Sequence, residues 1–237
     1  MNFHSNSYAV GPVAEAPIET RTDFVRKTYT HLAGAIALFA ALEWVLLSIV
    51  SPQAVFGLLK SSSYSWLIVL AAFMGVSWLA NKWAYGGASK TMQYAGLALY
   101  VVAEAVIFLP MLMMATLYDP AAIGKAGVVT GFMVLGLTAI AFTTRKDFTF
   151  LGGILKLGFI IALGLVVASI FFPGLASGMG LWFSIAMIVL ASGSILYNTS
   201  AIMYHYAPGQ HVAASLSLFA SVALLFYYVL RLFMSRD

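Results

Sequence analysis

The chain contains no cysteine, and charged residues occupy only 8% of its 237 positions. Without cysteine it can form no disulfide, no thiolate metal site and no cysteine nucleophile. Soluble domains carry about 25% charged residues, whereas 62% of this chain is hydrophobic and its mean hydropathy is +0.95. Because a water-soluble fold could not bury so much apolar surface, the composition indicates a polytopic membrane protein.

Signatures of catalysis are missing as well. The sequence has neither the HExxH motif of zinc proteases nor the GxSxG motif of many hydrolases. His205 and His211 are six residues apart across a Pro-Gly turn, but the sequence offers no third ligand for a metal. The net charge of +4 is spread over the connections and does not suggest nucleic acid. We therefore expect no enzymatic activity, no metal, no cofactor and no nucleic-acid partner.

Seven segments each supply the roughly 20 mostly apolar residues that a spanning helix needs. Their connections are short, which predicts one all-α domain over residues 24–237 that is embedded in the lipid bilayer. The polar residues 1–23 are predicted to form a flexible cytoplasmic tail. The predicted spans are residues 29–50, 65–80, 94–117, 126–143, 150–172, 181–203 and 212–234.

The basic residues predict the orientation of the bundle, because cytoplasmic connections carry an excess of Lys and Arg. Seven lie on the side of the N-terminus and three on the other side, which places the N-terminus in the cytoplasm. Lys156 lies near the cytoplasmic end of the fifth span and can extend its amine to the interface. The first group is Arg21, Arg26, Lys27, Lys82, Lys90, Arg145 and Lys146, and the second is Lys60, Lys125 and Arg236.

Two acidic residues fall well inside predicted spans, Glu43 in the first and Glu104 in the third. An embedded carboxyl group is costly, so it is expected to be paired, protonated or in contact with a wet cavity. Glu104 is nearer the middle of its span and is the stronger candidate for ion conduction or proton sensing. The alternative for both is a hydrogen-bonded packing residue.

Four stretches occur together in an informative order: "FVRKTYTHLAGAIAL", "FLPML", "TTRKDFTFLGGIL" and "ASGSILYNTSAI". With the final "LFMSRD", they resemble the Bax inhibitor family of seven-span proteins, and in particular its bacterial YccA-like branch. The resemblance covers about residues 24–237 and implies six helices around a central seventh. It also implies a multi-pass protein of the bacterial inner membrane.

The resemblance implies two competing activities. Some bacterial relatives are pH-sensitive calcium leak channels, and YccA-like relatives are associated with the membrane protease FtsH as modulators. The leak channels carry two aspartates as a pH-sensing latch, and the corresponding positions here are Asn198 and Ser221. Neither side chain titrates, so we expect a permanent hydrogen bond between the sixth and seventh spans in place of a switch.

The turn "RKD", Arg145 to Asp147, remains intact relative to the family pattern. One interpretation is that Arg145 and Lys146 anchor the cytoplasmic side while Asp147 caps the fifth span. The other is a cytoplasmic contact or gate. The resemblance to the YccA-like branch and the missing aspartates favour a protein that modulates a quality-control partner such as FtsH. The alternative is a calcium or proton leak channel without the di-aspartate latch, and a small-solute transporter is disfavoured because internal repeats are missing.

Overall fold

The computed structural model describes residues 11–62, 64–85, 89–172, 174 and 180–235. This part of the chain is helical and contains no strand, and seven of its helices are long and apolar enough to cross a membrane. The all-α class and the seven predicted spans are thus confirmed. The helices are α1 (Ile18–Ile49), α2 (Pro52–Lys60), α3 (Ser65–Tyr85), α4 (Lys90–Tyr118), α5 (Pro120–Thr144), α6 (Gly152–Phe171), α7 (Gly180–Tyr204) and α8 (His211–Met234), with 3-10 turns at Val13–Glu15 and Phe148–Leu151.

The beginning of the chain differs from the predicted flexible tail. α1 begins at Ile18, eleven residues before the first predicted span, because polar turns extend the helix beyond its apolar run. Val13 is only 1% exposed, and its N–H donates to the Tyr206 carbonyl at 2.8 Å. The 3-10 turn at Val13–Glu15 therefore packs against the bundle, and residues 18–23 form the mostly exposed first turns of α1. The rest of the predicted tail, residues 1–10, lies outside the described residues.

The short helix α2 was not predicted, since its nine residues cannot cross a bilayer and carry no span signal. The "SPQ" sequence that ends α1 also starts α2. The Ser51 side chain accepts from the N–H of Ala54 at 3.3 Å, and Pro52 occupies the first turn, where its missing N–H costs nothing. Asp119 and Pro120 start α5 in the same way.

α8 lies at the centre of the bundle, where it packs against α1, α3, α4, α5 and α7. Small buried residues such as Ala213, Ala214 and Ala223 line it and let neighbouring backbones approach. The central position implied for the seventh span is confirmed. The end of the bundle at which α1, α4, α6 and α8 begin is called the N-face below, and the other end the far face.

Two helix pairs at the edge of the bundle are joined differently. A Cβ placed on Gly96 of α4 would lie 2.6 Å from the Ala80 carbonyl oxygen and 3.1 Å from the Ala84 nitrogen of α3, so these two backbones touch. α6 packs against α7 and the 3-10 turn before it, and buries Leu155 and Ala162. A gap remains between α3 and α6, and a cavity lies behind it.

Candidate functional site

The cavity has a volume of about 970 Å³ and walls from α3, α4, α6, α7 and α8. Its lining on α6 extends from Gly152 to Ser169, which is about 25 Å along a helix. That length approaches the roughly 30 Å thickness of the hydrocarbon core. The cavity is therefore a long crevice between the helices, and it contains several polar positions that the sequence singled out.

The two embedded acids occupy different environments. Glu104 is 6% exposed on the α4 wall of the cavity, where its carboxyl group interacts with the Tyr100 hydroxyl one turn earlier. Glu43 is 4% exposed, does not belong to the described lining, and neither of its oxygens has a hydrogen-bond partner among the described residues. The structure thus brings Glu104, and not Glu43, to the cavity.

Asn198 and Ser221 lie side by side on the cavity wall and join α7 to α8. Asn198 Nδ2 donates to Ser221 Oγ at 2.9 Å and to the Ser217 carbonyl at 3.3 Å. The Ser221 hydroxyl donates to the same carbonyl at 3.2 Å. All the groups in this arrangement are neutral, so the contact between α7 and α8 needs no change of protonation to form.

A cluster of hydroxyl groups continues this network toward the N-face, and the sequence did not predict it. The Tyr85 and Tyr206 hydroxyls are 2.7 Å apart, and both hydrogen-bond to the Ser217 hydroxyl. The distance from the Tyr206 hydroxyl oxygen to Ser217 Oγ is 3.2 Å. Burial, with the nearby Tyr85, raises the pKa of Tyr206 above its ordinary value, so this hydroxyl stays protonated. The only available signal was that α3 and α7 both end at the N-face, since α3 ends at Tyr85 and Tyr206 follows the end of α7 by two residues.

The "RKD" turn is fixed to the end of α7. The Asp147 carboxylate accepts from the Thr149 N–H at 2.9 Å and lies 2.8 Å from His205 Nε2. Partial burial raises the pKa of Asp147, but the hydrogen bonds from Thr149 and His205 outweigh it, and the net pKa is below the usual value. Asp147 caps the 3-10 turn that precedes α6, and Arg145 and Lys146 are exposed beside it.

The two histidines that flank the Pro-Gly turn have different neighbours. His205 pairs with Asp147, whereas the His211 ring lies 5.1 Å from the ring of His31, centroid to centroid. His31 Nε2 is in turn 3.0 Å from the Tyr94 hydroxyl. Within the described ranges, no three His, Asp or Glu residues are grouped as metal ligands.

Comparison with known proteins gives matches along most of the chain. A family model described as Inhibitor of apoptosis-promoting Bax1 matches residues 21–237. PA2604 of Pseudomonas aeruginosa is 39% identical over 111 residues, which cover 47% of this chain and 49% of that protein. Modulator of FtsH protease YccA of Escherichia coli is 37% identical over 115 residues, which cover 44% of this chain and 51% of that protein. Protein LIFEGUARD 4 of Arabidopsis thaliana is 26% identical over 228 residues, covering 94% and 88%.

The chain spans about half the length of the two bacterial relatives in these matches. The family model, by contrast, covers nearly the whole chain, including all seven long helices and the central α8. This agreement between sequence and architecture establishes that the chain belongs to the Bax inhibitor family of membrane proteins.

Proposed function

We propose that this protein is an inner-membrane regulator of a quality-control partner such as the FtsH protease. The observation that carries the proposal is the neutral hydrogen bond between Asn198 and Ser221. It occupies the positions at which the leak channels of the family carry titrating aspartates, and it holds α7 and α8 together at any pH. Similarity to a protein named Modulator of FtsH protease YccA supports the same role.

The N-face offers the surface for such a partner, and in the predicted orientation it faces the cytoplasm. Ile18 is 79% exposed there, between the exposed Glu15 and Glu19. The core of a protein contact surface is apolar and its rim is polar, and Ile18 with the two acids beside it would fit such an arrangement. The exposed side chains of Arg145 and Lys146 provide a second possible contact on the same face.

Co-purification tests this role. The full chain, tagged at its C-terminus and extracted in mild detergent, is expected to recover an FtsH-type protease that an immunoblot detects. Ile18→Asp should reduce the recovery by about tenfold, which corresponds to about 1.4 kcal/mol at a contact point. Leu58→Asp is the matched control, because Leu58 is 64% exposed but lies in α2 at the far face. Recovery of no protease by the unmodified chain would overturn the proposal.

A second candidate function is a proton or calcium leak, and the cavity that reaches Glu104 favours it. Calcium binds through six to eight oxygen ligands, whereas Glu104 is the only carboxylate on the described lining. A proton is therefore the better-matched ion, since one carboxyl group is enough to carry it.

Flux measurements in liposomes separate this candidate from the first. If Glu104 carries the ion, Glu104→Gln should lower the proton flux about tenfold or more at acid and neutral pH. Glu43→Gln is the matched control, because it removes an equally buried carboxyl group away from the cavity. Equal flux through the original chain and Glu104→Gln would exclude Glu104 from any path.

A further inference from the structure

The crevice between α3 and α6 changes in polarity along its length. At the N-face end its lining includes Asn81, Lys156, Tyr197 and Ser217. Lys156 is four residues into α6, about 6 Å from the start of the helix. A lysine at this depth places its amine at the level of the lipid headgroups. The N-face end of the crevice is therefore both polar and basic.

Farther from the N-face the lining becomes apolar. Phe159, Ala162, Leu163 and Val166 of α6 face Leu224 of α8 across this part of the crevice. α6 itself is loosely held, since its buried residues are Leu155 and Ala162 and it packs against α7. The gap beside it lies between α6 and α3, and α8 forms the inner wall of the crevice behind it.

We propose that the crevice binds one anionic phospholipid, with the phosphate at Lys156 and an acyl chain along the apolar part of α6. The polarity gradient matches the order of groups in a lipid of the leaflet on the N-face side. In the predicted orientation this leaflet is cytoplasmic, and basic pockets between helices on that side bind anionic headgroups.

The opposite end of the crevice is a poorer headgroup site, although Arg231 lines it. The Arg231 guanidinium lies 5.8 Å from the centre of the Phe183 ring, so an aromatic face already attracts its charge. Trp66, Tyr227 and Tyr228 also line the crevice, and none of them is basic. A lipid headgroup is therefore better matched by Lys156 and the polar side chains at the N-face end.

The acyl chain of a bound lipid would also affect the access of water to Glu104. Glu104 is fourteen residues into α4, about 21 Å from the start of that helix, whereas Lys156 is about 6 Å from the start of α6. An acyl chain that extends from Lys156 toward the far face passes this level and excludes water from the carboxyl group. Lipid occupancy and proton access to Glu104 are therefore mutually exclusive.

Native mass spectrometry of the full-length protein with equal amounts of phosphatidylglycerol and phosphatidylcholine tests the proposal. We expect one retained phosphatidylglycerol, with about fivefold preference, the ratio that about 1 kcal/mol per lysine gives. Lys156→Gln should abolish the preference, and Lys90→Gln, on the same face but outside the described lining, should keep it. Equal retention of both lipids by the original chain would overturn the proposal.

A second pair of variants tests where the acyl chain of the bound lipid lies. Ala162→Trp fills the apolar part of the crevice and should remove the retained lipid, whereas Ile161→Trp should leave it, since Ile161 is 54% exposed on the neighbouring outer surface. Retention by a folded Ala162→Trp protein would contradict the site.

Cross-linking of the unmodified protein provides a test that needs no variant. Phosphatidylglycerol with a photoactivatable acyl chain should label Phe159 and Leu224 of the crevice more than Ile154 and Ile161 of the outer surface. Labelling of the outer surface alone would overturn the proposal. Each of these readouts is lipid retention or labelling, so a failure of the protease role leaves them unchanged.

Discussion

Replacement of Gly96 by alanine is expected to lower the free energy of unfolding by about 1–3 kcal/mol, the usual cost of overpacking a close contact. The added Cβ would lie 2.6 Å from the Ala80 carbonyl oxygen and 3.1 Å from the Ala84 nitrogen. Both are backbone atoms, which cannot rotate away as a side chain can. The whole of α3 must therefore move away from α4, and the contacts along the pair are weakened together.

The measurement is an unfolding curve in detergent, followed by tryptophan fluorescence or by size-exclusion after heating. Gly75→Ala is the matched control, because it lies within α3 and a Cβ there meets nothing within 4 Å. Its stability should be unchanged or raised by up to about 1 kcal/mol, since alanine favours the helix. If Gly96→Ala and Gly75→Ala have the same unfolding midpoint, the backbones of α3 and α4 do not meet as closely as the Gly96 contact indicates.

The double substitution of Asn198 and Ser221 by aspartate is expected to make the stability of the bundle depend on pH. At low pH the two carboxyl groups are protonated and can hydrogen-bond to each other. As pH rises they lose their protons in two coupled steps and become like charges on a buried wall. The loss at high pH should be about 3–5 kcal/mol, typical of uncompensated buried charge.

Unfolding curves between pH 4 and pH 9, followed as for Gly96, measure this effect. The double variant should lose more stability than the original chain on raising the pH, because the Asn198–Ser221 hydrogen bond of the original chain contains no titrating group, whereas the buried Glu43 and Glu104 are common to both proteins. Asn198→Asp alone is the control, since Ser221 can still donate to the new carboxylate. A double variant whose stability falls no more than that of the original chain as pH rises would show that these two positions do not form the paired site inferred from the family.

The spans could be predicted because hydrocarbon thickness fixes the length of an apolar run. The same rule explains why two helical segments were not predicted. The first turns of α1 are polar and lie outside the run, and α2 is shorter than the rule can detect. The position of Val13 could not be predicted either, because its N–H donates to the Tyr206 carbonyl, which is distant in the sequence and which no local pattern identifies.

The site was partly predictable. The pairing of Asn198 with Ser221 followed from the family resemblance, and the hydrogen bond is present in the structure. The sequence favoured Glu104 over Glu43 by its depth in the span, but it could not show which of them borders the crevice, because that depends on the face that each helix turns toward it. The contact between Tyr85 and Tyr206 depends on the arrangement of helix ends, across 121 residues of chain.

The contact at Gly96 also makes the two sides of the crevice unequal in stiffness. α3 and α4 meet backbone to backbone, so that side behaves as a fixed frame. On the other side, a Cβ at Gly158 of α6 would meet a methyl group of Leu190 at 2.5 Å, and a leucine can change its rotamer. We therefore expect any widening of the crevice to occur by movement of α6 relative to α7 and not by separation of α3 from α4. A molecule would then enter sideways, within the plane of the membrane, without a change in the packing around α8.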